Sequence, residues 1–145
     1  MLAKLIGDGH FLTNVVCENW EQLVDITGEP LVRQKLVEPE YLQSVKDTVH
    51  LYGSYMVLID DVAFLHGRPE AGVHKVCMTL VLLKNPITLI DKSVKAAFMF
   101  GAIDNDSHIN ILQELAELLN DDEFSDLLID GKNPEAILLK LKGGV

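Results

Sequence analysis

Apolar and polar positions follow two rhythms along this chain, short unbroken apolar runs and runs at helical spacing, with glycine, proline and asparagine marking the changes. Phe11 to Val16 is the first short run and predicts a strand. Asn19 then caps a helix opening at Trp20, with Gln22 at the reciprocal capping position. Gly28-Glu29-Pro30 interrupts that helical pattern, which resumes in Leu31, Val32 and Leu36, so the segment is either one kinked helix or two short ones. Pro39 suits the first turn of the next helix, which runs through Tyr41, Leu42 and Val45 to Val49.

Gly53 breaks the pattern before Tyr55 to Ile59, and Asp60-Asp61 separates that run from Val62 to Leu65, which predicts two consecutive strands. A loop from Gly67 to Gly72 leads to a further strand, Val73 to Leu83, carrying Val76, Cys77, Leu80, Val81 and Leu82 and closed by Lys84-Asn85-Pro86. The last predicted strand is Phe98 to Ile103. The helix after it carries Ile109, Leu112, Leu115, Ala116 and Leu119 at helical spacing, with Asp106 or Ser107 as its cap. Asn120 with Glu123 forms another capping box, and Asn133-Pro134 starts a final helix that stops at Gly143-Gly144. There is no internal repeat and no low-complexity tract.

The chain has 145 residues, a length that predicts one domain, 1–145, with roughly two-thirds of its unfolded surface covered on folding. Hydrophobic residues make up 48%, so the strands should be buried on both faces by helices, giving a layered α/β sandwich. Twelve basic against 22 acidic side chains leave a net charge of -10, which repels nucleic acid and anionic membrane surfaces and favours a basic protein partner. Met1 to Ile6 is too short for a secretory signal and Gly7-Asp8-Gly9-His10 interrupts it, while Val76 to Leu83 falls far below membrane-spanning length. The expectation is a soluble, cytosolic protein. Cys17 and Cys77 stand far apart with no C-x-x-C pair and are expected to be buried thiols.

The chemistry is expected around Val62-Ala63-Phe64-Leu65-His66-Gly67-Arg68-Pro69-Glu70, a strand that delivers an imidazole into a loop. A histidine in that position is, by itself, more often a satisfied structural residue or a surface side chain than a functional one. A second one, His108, stands 42 residues later at a helix start, where free N–H groups and the positive helix end favour an anion by ~0.3–1 kcal/mol. If the two strands are parallel neighbours, His66 faces the first turn of that helix across a shallow crevice, which suits a phosphorylated histidine. A phosphoryl group brings about -1.5 to -2 charges and needs donors already in place, for which His108, Ser107, Arg68 and the helix amides are candidates. The nucleophile needs one unprotonated nitrogen, which an imidazole of pKa ~6.5 offers at cytosolic pH, while a hydrogen bond fixes the other.

Other chemistries find less support. The five histidines, His10, His50, His66, His74 and His108, lack the close spacing of metal sites, so no metal is expected; His10, His50 and His74 are expected to be surface residues. Asp60-Asp61 reads as a two-residue turn between strands, and Asp121-Asp122 as a charged helix start. An Arg68–Glu70 ion pair is the plain account of those two charges. No phosphate-binding P-loop, dinucleotide fingerprint or serine-hydrolase elbow is present.

From Trp20 to Leu141 the chain resembles the mannitol/fructose-type IIA family of the phosphoenolpyruvate-dependent sugar phosphotransferase system. The likeness is carried by Gly53-Ser54-Tyr55-Met56-Val57, by Val62 to Val73 around His66, by Leu82-Leu83-Lys84-Asn85-Pro86 and by Asp104 to Leu119 around His108. The run from His66 to Val73 resembles most closely the ascorbate-type branch. The resemblance implies that His66 takes phosphate from the phosphohistidine of the carrier HPr and passes it to a cysteine of a IIB protein, with the membrane IIC protein an indirect partner and no cofactor. It implies that His108 helps hold the phosphoryl group, and that the fold is a mixed five-stranded sheet between helical layers, a three-layer sandwich. Leu65 stands where the family usually has proline before the active histidine, and Asp60-Asp61 where relatives often carry proline and glycine. A regulatory module that binds partners according to its phosphorylation state is the alternative, and a metal-dependent hydrolase comes third.

Overall fold

The middle of the sheet is apolar because helices seal it, and helices with side-chain caps begin at Asn19, Asp104, Asp121 and Asn133. The computed structural model describes residues 2–6 and 9–143. After a short helix α1 (Leu2–Leu5), strand β1 (Phe11–Val15) leads to helix α2 (Trp20–Arg33), where the Asn19 side chain accepts from Gln22 N at 2.8 Å and the Gln22 side chain accepts from Glu18 N. The helix runs on through Pro30, so the interrupted pattern belongs to one helix. Helix α3 (Pro39–Tyr52) follows with proline in its first turn, and Leu42 of α3 fills the space a side chain at Gly28 would need.

Among the described residues the sheet has four strands, not five. Tyr55 to Ile59 is no strand: Gly53–Met56 is a 3-10 turn, Met56 and Val57 are buried, and only Ile59 forms an isolated bridge, to Val62. Strand β2 (Asp61–Leu65) follows the tight turn at Asp60-Asp61, closed by Val62 N donating to Ile59 O. Strand β3 (Cys77–Leu89) starts later than the apolar pattern suggests and continues through Lys84-Asn85-Pro86, which sits where the register with the next strand shifts between Leu82 and Ile87. A bulge spares Pro86 a ladder bond it cannot donate. Strand β4 (Lys92–Gly101) includes the polar stretch Lys92 to Lys95 and ends two residues before Ile103. The β3–β4 turn at Ile90-Asp91 carries Ile90 at φ 61. Helices α4 (Asn105–Leu119), α5 (Asp122–Asp130) and α6 (Pro134–Leu141) complete the chain. Helix α5 is capped by Asp121, not Asn120.

Strand order is β1-β3-β4-β2, with β1 parallel to β3, β3 antiparallel to β4, and β2 parallel to β4. Alternate residues of a strand face opposite ways, and the apolar residues sort accordingly into two clusters. Ala63, Leu65, Val81, Leu83, Ala97 and Met99 pack with α2 and α3. Val62, Phe64, Leu80, Leu82, Ala96 and Phe98 pack with α4, α5 and α6. Fully burying such a side chain is worth about 1.5–3 kcal/mol. Phe64 stacks on Phe98 across β2 and β4, with centroids 5.8 Å apart. Among the described residues no helix is long and apolar enough to cross a membrane.

Candidate functional site

Parallel pairing of β2 with β4 sets Leu65 opposite Met99, so the residue that follows, His66, comes out beside Phe100. The two rings stack with centroids 5.2 Å apart and planes 22° from parallel. After Gly101 the chain turns into α4, whose cap is Asp104 and neither Asp106 nor Ser107. Its Oδ1 accepts from Ser107 N at 2.8 Å, and Ser107 Oγ closes the box from the other side, accepting from Asp104 N and Ile103 N. His108 stands in the first turn of that helix. Its ring lies 5.1 Å from that of His66, edge to face at 70°, and 5.4 Å from that of Phe100.

The structure thus joins the two histidines that the sequence separates, with Phe100 as their shared floor. His66 Nδ1 lies 2.9 Å from Phe64 O. A carbonyl can only accept, so Nδ1 carries the proton and Nε2 keeps its lone pair. Burial holds the pKa of His66 below the usual 6.5, and nearby His108 adds to this, against the opposing bond to Phe64; burial likewise lowers His108. Both rings are therefore neutral at neutral pH, the state a nitrogen nucleophile requires.

Beside His66 opens a groove of about 430 Å³, lined among others by Ser44, Thr48, Tyr52, Gly67 and Arg68. Arg68 is exposed and forms no ion pair among the described residues, with Glu70 or any other carboxylate, so its charge is available at the groove. Ser107, by contrast, has its hydroxyl bound within the Asp104 cap, donating to Oδ1 at 2.8 Å. It shapes the helix start from there.

Three residues near the site carry almost no sequence signal for it. Phe100 reads simply as a strand residue, and Tyr41 and Ser44 as one face of a helix. The hydroxyl of Tyr41 was the one available hint, since a buried tyrosine needs a partner; it donates to Phe100 O at 2.6 Å and accepts from Gly67 N at 2.9 Å. Ser44 Oγ accepts from Arg68 N at 3.0 Å.

The other histidines lie elsewhere. His10 is buried, not on the surface, because its ring meets backbone carbonyls of Leu5 and Met78 and the side chain of Gln34. His50 is exposed, its ring against that of Trp20, and exposed His74 lies 3.6 Å from Glu38. Cys77 is buried, which pushes its thiol up to about 11, whereas Cys17 is only half-buried. Among the described residues no three His, Cys, Asp or Glu side chains are grouped to hold a metal ion.

Residues 4–143 match the family model described as phosphoenolpyruvate-dependent sugar phosphotransferase system, EIIA 2. The chain is 33% identical over 125 residues to the ascorbate-specific EIIA component of Shigella boydii, covering 83% of this chain and 81% of that protein. Among solved structures, the mannitol-specific cryptic phosphotransferase enzyme IIA of Escherichia coli superposes with a TM-score of 0.85 at 28% identity, covering 96% of this chain and 98% of that one. The IIA mannitol protein of Escherichia coli, solved in complex with phosphorylated IIB, gives a TM-score of 0.80 at 24% identity over 96% of this chain and 97% of that one, a likeness of fold. With a family model matching nearly end to end and a relative of that identity, this chain is a phosphotransferase component, enzyme IIA, and belongs to the EIIA 2 family of the sugar phosphotransferase system.

Proposed function

We propose that the protein works in the cytoplasm as a phosphohistidine carrier, taking phosphate from HPr on His66 Nε2 and passing it to a cysteine of a IIB protein. The transported compound is a sugar or sugar acid, with the L-ascorbate type favoured by the ascorbate-specific relative and by the run from His66 to Val73. The IIB partner is suggested by the complex that the mannitol relative forms. IIC takes part through IIB alone. The sheet serves as the middle of three layers, a view supported by the two apolar clusters.

The observation that carries this reading is the bond from His66 Nδ1 to Phe64 O, which leaves Nε2 as the nitrogen able to attack. Its lone pair forms the new bond to phosphorus while the donor's nitrogen–phosphorus bond breaks, and the donor ring keeps that electron pair. In the second transfer a IIB thiolate attacks the phosphorus and the pair returns to Nε2. Catalysis of this kind is alignment plus stabilisation of charge on the phosphoryl oxygens. His108, Arg68 and the start of α4, where Ser107 completes the Asp104 capping box, supply that stabilisation. Incubation with phosphoenolpyruvate, enzyme I and HPr should place one acid-labile phosphate on the wild type and none on His66→Ala, and an ascorbate-type IIB should then remove it. Equal labelling of both proteins, or none on the wild type, overturns the assignment.

A further inference from the structure

Resting on the assignment of His66 as phosphoacceptor, we infer that Tyr41 and Ser44 of α3 form a clamp that positions the phosphoacceptor loop against β4. Three residues apart on a helix, the two side chains share one face. They take up consecutive amides of the loop: Gly67 N donates to the Tyr41 hydroxyl at 2.9 Å and Arg68 N to Ser44 Oγ at 3.0 Å. The same Tyr41 hydroxyl donates to Phe100 O at 2.6 Å. One oxygen therefore ties the residue after His66 to the residue whose ring touches both histidines.

A purely space-filling role needs no hydroxyl at position 41, since phenylalanine offers the same ring, and a serine at 44 would need no contact with the loop. The loop also comes as close to the helix as backbone can: a Cβ on Gly67 would stand 2.8 Å from Ser44 Oγ and 3.1 Å from Val45 N. Burial pushes the ionisation of Tyr41 far up, so its hydroxyl remains protonated and able to donate to Phe100 at any physiological pH. A consequence follows for the phosphorylated form. With both loop amides already engaged, a phosphoryl group on Nε2 draws its donors from the opposite wall, from His108 and the start of α4, and from the Arg68 side chain.

Tyr41→Phe tests the clamp, because it removes the hydroxyl and keeps the ring. Well below its melting temperature, Tyr41→Phe should accept phosphate from phospho-HPr about ten- to a hundredfold more slowly with KM unchanged. Ser44→Ala should fall in the same direction by less. Nitrogen-15 NMR of the unphosphorylated protein should show His66 moving from one tautomer, Nδ1–H, toward a mixture in Tyr41→Phe. The comparison variant is Phe124→Leu, a fully buried residue of the other cluster, which lowers stability without touching the loop. Wild-type rate and wild-type His66 shifts in Tyr41→Phe, or a loss no larger than in Phe124→Leu, overturn the clamp. If the wild type takes no phosphate at all, the role of His66 fails instead, and the nitrogen shifts still decide on the clamp.

Discussion

His10 and His66 occupy the same end of one sheet and meet different fates. Phe11 stands opposite Leu80, Cys77 opposite Gly101, and Leu65 opposite Met99, so His10 before β1 and His66 after β2 both lie on the rim where β3 begins and β4 ends. In each ring Nδ1 faces a backbone carbonyl, Met78 O at 3.0 Å for His10 and Phe64 O at 2.9 Å for His66. The second nitrogen separates them. His10 Nε2 is closed off by Gln34 at 3.0 Å in a buried setting, whereas His66 Nε2 has no hydrogen-bond partner among the described residues and its residue lines a groove. On the proposed function, what sets the two rings apart is which nitrogen the fold leaves unengaged, and burial alone does not mark it.

The sharpest way to break that contrast is paired truncation. His66→Ala should lose phosphate labelling completely, whereas His10→Ala should keep it and instead unfold more easily by about 1–3 kcal/mol, since its loss leaves buried partners without a bond. Folded His10→Ala protein that no longer takes label would erase the distinction. Next in size, His108→Ala should slow uptake on the order of a hundredfold while still reaching full label, as expected for a group that stabilises charge without forming the bond; rapid-quench labelling measures it.

The pH dependence is smaller and has a definite sign. His66 must be neutral to attack and its folded pKa lies below 6.5, so the uptake rate should be flat through neutral pH and fall about tenfold per unit once the pH drops past that pKa. Because both histidines are lowered on folding, the unfolded chain binds more protons between the folded pKa values and 6.5. Their contribution to stability is present above pH 6.5 and is lost as the pH falls, which urea midpoints across that window will show. Gly67→Ala, where the new Cβ meets Ser44, should lower stability by about 1–3 kcal/mol, read from the melting curve.

Much of this site was legible in the residues. A short apolar run ending at His66 and an amphipathic helix opening at His108 each announce themselves, because burial on both faces and a helical stripe leave different spacings. The run Tyr55 to Ile59 misleads for a definite reason: β2 is an edge strand with no strand beyond it among the described residues, and Met56 and Val57 are buried at the end of a 3-10 turn instead. Lys92 to Lys95 misleads the opposite way, since pairing with β3 holds a polar stretch in a strand. His10 looks like a surface residue until Met78 is brought beside it, 68 positions later in the chain. Tyr41 is 59 residues from the carbonyl it binds, and no local pattern encodes a bond of that reach.

The β3–β4 turn, with its left-handed Ile90 and exposed Asp91, lies at the other end of the ten-residue strand β4 from Gly101. At about 3.3 Å per residue that places it roughly 30 Å from the histidines. A fluorophore or surface tether fixed at Asp91 would ride on the β3–β4 hairpin far from both imidazoles, and it marks where this molecule can be instrumented without disturbing them.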